Sequence, residues 1–160
     1  KLLQDKYNDE QADIALVNAS ISGETSGGAL RRLDALLTQY QPTHVLIELG
    51  ANDGLRGFPV KKMQANLTSL IQKSQAANAM TALMEIYIPP NYGPRYSKMF
   101  TDSFSQISEE TNTHLLNFFM LNIADKPELM QNDGLHPNKK AQPLIRDEMY
   151  DSIKTWLNKD

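Results

Sequence analysis

Four short runs of the chain are almost wholly apolar, and between them apolar residues recur at helical spacing. The runs are Ile14–Asn18 ("IALVN"), His44–Leu49 ("HVLIEL"), Thr81–Ile88 ("TALMEIYI") and His114–Phe118 ("HLLNF"). Near-continuous apolar runs of this length predict strands covered on both faces, as in parallel sheets. Helices are predicted over Ser26–Tyr40, with Leu30, Leu33, Leu36 and Leu37 on one stripe, and over Pro59–Asn78, with Met63, Leu67, Leu70 and Ile71. Pro59 suits a first turn. Two more are predicted over Tyr96–Thr111, carrying Met99, Phe100, Phe104 and Ile107, and from about Asn138 to Leu157, carrying Leu144, Ile145, Met149, Ile153 and Leu157. Strand–helix alternation of this kind indicates an α/β fold with a parallel sheet and right-handed crossovers. Ligands of such folds bind at the C-terminal ends of the strands. The polar loops "NASISGETSGG", "ELGANDGLRGF", "PPNYGPRY" and "NDGLHPN" are therefore where chemistry is to be sought.

Composition narrows the classes. The 160 residues suit one domain, 1–160, and no linker-like stretch divides them. With 41% hydrophobic and 22% charged residues the chain is an ordinary folded protein. A net charge of −3 gives no reason to expect nucleic acid as a partner. No apolar run approaches the roughly 18–20 residues of a membrane span, so stable membrane insertion is not expected. Cysteine is absent, which excludes disulfides and thiolate chemistry. His44 and His114 have no metal-ligand spacing, and no metal is expected.

Asp133 stands three residues before His136 in "NDGLHPN". A histidine base needs an acid that fixes its tautomer and stabilises the imidazolium. Asp133-Gly134 favours the tight turn that would bring the two together, and Pro137 biases His136 to extended backbone. The competing reading is a solvated turn. In "GAND", Gly50–Asp53, Asn52 follows a buried strand and can aim its amide into the crevice, where a neutral donor suits a developing oxyanion. A simple loop cap competes with that role. Gly23 in "SISG" can present a backbone N–H or only a positive φ. Ser26 is placed to cap the next helix. Arg56, Phe58, Tyr92, Pro94 and Tyr96 stand where a substrate would be contacted, with ordinary loop packing as the alternative.

Together "SISG", "GAND" and "DGLH" resemble, in order and in strand context, three sequence blocks of the SGNH (GDSL-type) hydrolase superfamily. Longer stretches such as "NASISGETS", "ELGANDGLRGF", "PPNYG", "FFM" and "DGLHPN" resemble its bacterial arylesterase, thioesterase I and lysophospholipase subgroup, across nearly the whole chain. The resemblance implies a three-layer α/β/α sandwich of the flavodoxin-like kind, with five parallel strands in order 2-1-3-4-5. It implies a serine esterase acting through an acyl-enzyme on a small ester, without cofactor, as a monomer exported to the bacterial periplasm or beyond. His136 would be the base, Asp133 its orienting acid, and Gly23 and Asn52 oxyanion donors. Gly50, Asp53, Arg56, Phe58, Tyr92 and Pro137 would face the substrate.

The family's Gly-Asp-Ser-Leu block does not occur among these residues. Ser20, Ser22 and Ser26 lie near Gly23, but none stands in a nucleophile elbow. The resemblance thus implies a serine and a first strand upstream of Lys1, with Lys1–Gln11 as the tail of the first helix. That strand would run between Ile14–Asn18 and His44–Leu49, so those two are not expected to pair with each other. Two rival readings remain: a catalytically inactive relative, or a small-ligand-binding module on the same fold.

Overall fold

A computed structural model describes residues 1–158, and at Pro90 the backbone alone. These residues fall into two compact units, one of 19–116 and one of 1–18 with 117–158.

In the first unit, α2 (Ser26–Tyr40) leads to β1 (His44–Ile47), α3 (Ala51–Leu55), α4 (Val60–Ala76), β2 (Met80–Met84), α5 (Pro94–Thr111) and β3 (His114–Leu116); α1 (Leu2–Asp9) and α6 (Gln142–Leu157) belong to the other. The strands form a parallel sheet in the order β1-β2-β3, with His44 opposite Met80 and Ala82 opposite His114. The central strand carries Ala82, Leu83 and Met84, all fully buried, so both its faces are covered. Helices α4 and α5 pack on β2, and α2 packs on α4. Their apolar stripes, Met63, Leu67, Leu70 and Ile71 against Phe100, Phe104 and Ile107, make the core. Phe100 meets Phe104 edge-on, with ring centroids 5.4 Å apart.

Three strands and four helices thus form where the apolar pattern puts them, with shorter strands than the runs suggest. Ile14–Asn18 is the exception. It is in no ladder among the described residues, and Leu16 and Val17 are exposed. The Gln4 amide binds its backbone, donating to the Ile14 carbonyl at 2.8 Å and accepting from the Leu16 N–H at 2.6 Å. β1 has β2 as its ladder partner and no other among the described residues.

Smaller corrections have local causes. Pro59 sits at the N-cap of α4 rather than in its first turn. Residues 138–141 form a turn ahead of α6, whose buried face is Tyr150, Ile153 and Trp156, while Leu144 is exposed. Met99 also faces solvent. The "GAND" segment, read as loop, is the short helix α3.

In the second unit α1 and α6 pack through Tyr7 and Tyr150, with centroids 4.9 Å apart and Lys6 Nζ 4.5 Å from the Tyr150 ring centre. A separate cluster of Met120, Ile123, Leu129 and Ala141, flanked by Met130 and Ile145, lies at the two ends of the 131–138 loop. Because Phe104 is fully buried and touches both Phe100 and the Gly50 turn, Phe104→Ala is expected to cost about 3–5 kcal/mol in denaturant unfolding.

Candidate active site

The 131–138 loop is closed at its base before it does anything else. Met130 and Pro137 form an antiparallel bridge. Gln131 N–H donates to the His136 carbonyl at 2.7 Å, and Asn138 N–H to the Leu129 carbonyl at 2.8 Å. The Asn138 amide adds bonds to the Glu128 and Met130 carbonyls. Gly134 takes φ +65°, which the turn requires and glycine adopts without cost.

Inside this clamp the Asp133 carboxylate works with both oxygens. Oδ1 accepts from the Leu135 and His136 N–H groups at 2.9 and 3.0 Å. Oδ2 lies 2.7 Å from His136 Nδ1. The backbone N–H of His136, then its ring, then the Leu135 N–H pull the carboxyl down to about 2. With Nδ1–H donating to Asp133, a neutral imidazole keeps its Nε2 lone pair free, and Nε2 has no partner among the described residues. The ring is 69% exposed, so nothing in its own loop blocks it. Pro137 is half-buried, its carbonyl accepting from the Gln131 amide. It serves the clamp.

In the other unit, Asn52 and Gly23 stand on two segments that are stitched together. Gly50 begins α3 at φ +116°, and a Cβ there would come within 3.0 Å of Met63 Sδ and 3.1 Å of Phe104 Cζ. With the positive φ and those neighbours, glycine is what this turn accommodates. Asp53 is 4% exposed. Its Oδ2 accepts from Ser26 N–H at 2.8 Å and its Oδ1 from Ser26 Oγ at 2.7 Å, while Asn66 donates to Ser26 Oγ at 3.0 Å. The Asp53 side chain, expected to face a substrate, is buried with both oxygens bonded to Ser26. Thr25, not Ser26, caps α2, accepting from Gly28 N–H.

The second stitch is Arg56, whose Nη2 donates to the Gly23 carbonyl at 3.0 Å. Gly23 is exposed at φ +75°. Neither its N–H nor the half-buried Asn52 amide bonds another described residue, so two donors on adjoining segments remain unspent. Arg32 fixes the rest of the Gly23 loop by gripping the Glu24 carboxylate and the Ala19 carbonyl.

The turn after α3 is held from α5. Tyr92 Oη donates to the Leu55 carbonyl and Tyr96 Oη to the Phe58 carbonyl, both at 2.8 Å. Burial, the Asp53 carboxylate and Tyr92 raise the Tyr96 pKa, which keeps the hydroxyl a donor. Tyr92, Tyr96, Pro94 and Met99 line an open depression of about 450 Å³, and Phe58 is exposed. Arg32, Asn66 and the Tyr96 bond were not anticipated as site supports. Their partners lie 8 to 40 residues away, and no local pattern marks them. No group of three or more His, Cys, Asp or Glu able to hold a metal occurs among the described residues, and none of their helices is long and apolar enough to cross a membrane.

An Asp–His pair whose imidazole Nε2 has no partner among the described residues is a chemical feature that acyl-transfer enzymes use, and so is a neutral N–H or amide donor such as Gly23 and Asn52 carry. The chain belongs to the GDSL-like Lipase/Acylhydrolase family, which it matches over residues 1–143. It is 86% identical to the psychrotrophic esterase EstA from Pseudoalteromonas sp., in a crystal structure inhibited by monoethylphosphonate. That match has a TM-score of 0.97 and covers 99% of this chain and 86% of the other. It is 46% identical over 159 residues to the thioesterase 1/protease 1/lysophospholipase L1 of Escherichia coli K12, covering 99% of this chain and 75% of that one. Identity to the arylesterase of Vibrio mimicus is 47% over 144 residues, 90% of this chain and 72% of that one. The fold is thus the α/β/α fold of the SGNH hydrolases, and the chain is an enzyme of the esterase class.

The Asp133 geometry fixes a pH dependence. Its carboxyl is lowered from an ordinary 3.8, so its contribution to folding is fully present above 3.8 and is lost as pH falls through about 2. Carboxyl ¹³C NMR is expected to place its midpoint near 2; a midpoint at 3.8 would mean that the three bonds are not made.

Proposed function

We propose that the protein hydrolyses aryl and short-acyl carboxylic esters through an acyl-enzyme, with thioesters and lysophospholipids as further members of its substrate class. The observation that carries the reading is the Asp133–His136 pair, clamped in a closed loop with Nε2 free. In this reading His136 Nε2 takes the proton of the attacking hydroxyl as that oxygen bonds to the acyl carbon. The same proton passes to the leaving oxygen when the tetrahedral intermediate collapses. In the second half His136 activates water, which displaces the acyl group. Asp133 holds the imidazole and offsets its positive charge in both halves. The Gly23 N–H and Asn52 amide donate to the carbonyl oxygen as its charge develops.

The attacking hydroxyl is taken to be the serine of the family's Gly-Asp-Ser-Leu block, which these 160 residues do not contain. The reaction so written calls for no cofactor. Several findings support the substrate class. One relative is a thioesterase and lysophospholipase and another an arylesterase by name. The phosphonate that inhibits a third resembles the tetrahedral intermediate of acyl transfer. Phe58 and the depression beside Tyr92 supply apolar surface for an acyl or aryl group. By the same resemblance the protein acts as a monomer on small molecules, in the periplasm or outside the cell.

The test is hydrolysis of p-nitrophenyl acetate and butyrate by the full natural protein. His136→Ala is expected to lower kcat/KM by several powers of ten, and Asp133→Asn by roughly four. Equal rates for wild type and His136→Ala would overturn the assignment. Covalent labelling by a fluorophosphonate separates an esterase from a ligand-binding module, which would take no label.

A further inference from the structure

Arg56 is neither part of the acid–base pair nor one of the two proposed oxyanion donors, yet its side chain ends on the residue that supplies one of them. Its Nη2 holds the Gly23 carbonyl at 3.0 Å. Gly23 sits at φ +75° with no side chain to anchor it. The peptide that carries its N–H and the peptide that carries its carbonyl are related only by its own φ and ψ. Holding the second plane therefore limits where the first can point.

The remainder of this loop is secured by other means. Arg32 holds Ala19 and Glu24, Glu24 N–H bonds the Ile21 carbonyl at 3.2 Å, and Thr25 caps α2. At Gly23 the hydrogen bond from Arg56 is what remains. Arg56 itself springs from a fixed backbone. Its N–H bonds the Asn52 carbonyl at 3.2 Å, and the carbonyls of Leu55 and Phe58 on either side are held by Tyr92 and Tyr96. The guanidinium thus ties the Gly23 peptide to the turn that carries Asn52.

We propose that Arg56 is a positioning residue: it aims the Gly23 N–H at the developing oxyanion and keeps that donor in register with the Asn52 amide. This rests on the reading of Gly23 and Asn52 as oxyanion donors. Arg56 then acts on kcat, because an aimed donor matters most when negative charge has formed. An arginine that contacted the substrate directly would act on KM.

The experiment measures kcat and KM of the full natural protein on p-nitrophenyl butyrate for wild type, Arg56→Ala, Arg56→Lys and His136→Ala. Arg56→Ala is expected to lower kcat roughly 10–100-fold with KM changed less than about twofold. Millimolar guanidinium ion is expected to restore part of that kcat, where sodium at equal ionic strength does not. Arg56→Lys keeps the charge without the planar fork and is expected to show a smaller loss in kcat. Unchanged kcat, a loss confined to KM, or no response to guanidinium overturns the proposal. If His136→Ala is inactive while Arg56→Ala turns over like wild type, only the positioning role is lost. If His136→Ala is as active as wild type, the catalytic reading falls with it.

Discussion

The grip of the Asp53 carboxylate on Ser26 is the constraint that joins the two segments carrying the proposed donors, Gly23 and Asn52. A carboxylate removed from water is costly unless its oxygens are satisfied. Here one oxygen takes the Ser26 N–H and the other its hydroxyl, which Asn66 also bonds. The Ser26 N–H is one of the first-turn N–H groups that α2 cannot satisfy itself, so the negative charge lies at the helix end that favours it. One ion thus satisfies a helix terminus and sets the start of α2 against α3. Gly23 lies three residues before Ser26, and Asn52 immediately before Asp53. The link therefore ties together the two segments that carry the proposed donors.

The two halves of the proposed machinery are built by opposite means. The donors depend on long reaches: Ser26 to Asp53 spans 27 residues and Gly23 to Arg56 spans 33. Glycine is used where a side chain would collide, as at Gly50 against Met63 and Phe104, and at Gly54, whose Cβ would stand 2.7 Å from Ile88 and Phe100. The dyad depends on a reach of three residues and a loop that hydrogen-bonds to itself. Its acid is kept ionised by backbone N–H groups before any distant group is called on.

This division explains what could be read from the chain. Strands β1 to β3 and helices α2, α4 and α5 follow from apolar periodicity, because each buries a stripe in the core. Ile14–Asn18 has the same apolar signature but not the structure, since an apolar run specifies burial and only a neighbour makes a strand. The Asp133–His136 pair was legible because its geometry is contained in one turn. The side-chain work of Asp53, and the partnership of Arg56 with Gly23, was not. In sequence Asp53 and Arg56 stand beside Asn52 as though they shared its role, and only the folded chain shows them turned to Ser26 and Gly23. Tyr92 was expected to face the substrate, and its hydroxyl bonds a carbonyl of the adjoining turn.

The self-contained dyad loop also bears on the order in which a working site comes into being. Contacts between near neighbours in sequence form quickly and at small entropic expense, whereas those across 27 or 33 residues must wait for whole helices to dock. The Asp133–His136 pair is therefore a local object whose bonds reach no farther than its own loop. The Gly23 and Asn52 segments, in contrast, are brought together only by tertiary assembly. Chain that retains its imidazole–carboxylate bond can thus still lack the link between the segments that carry the two proposed donors.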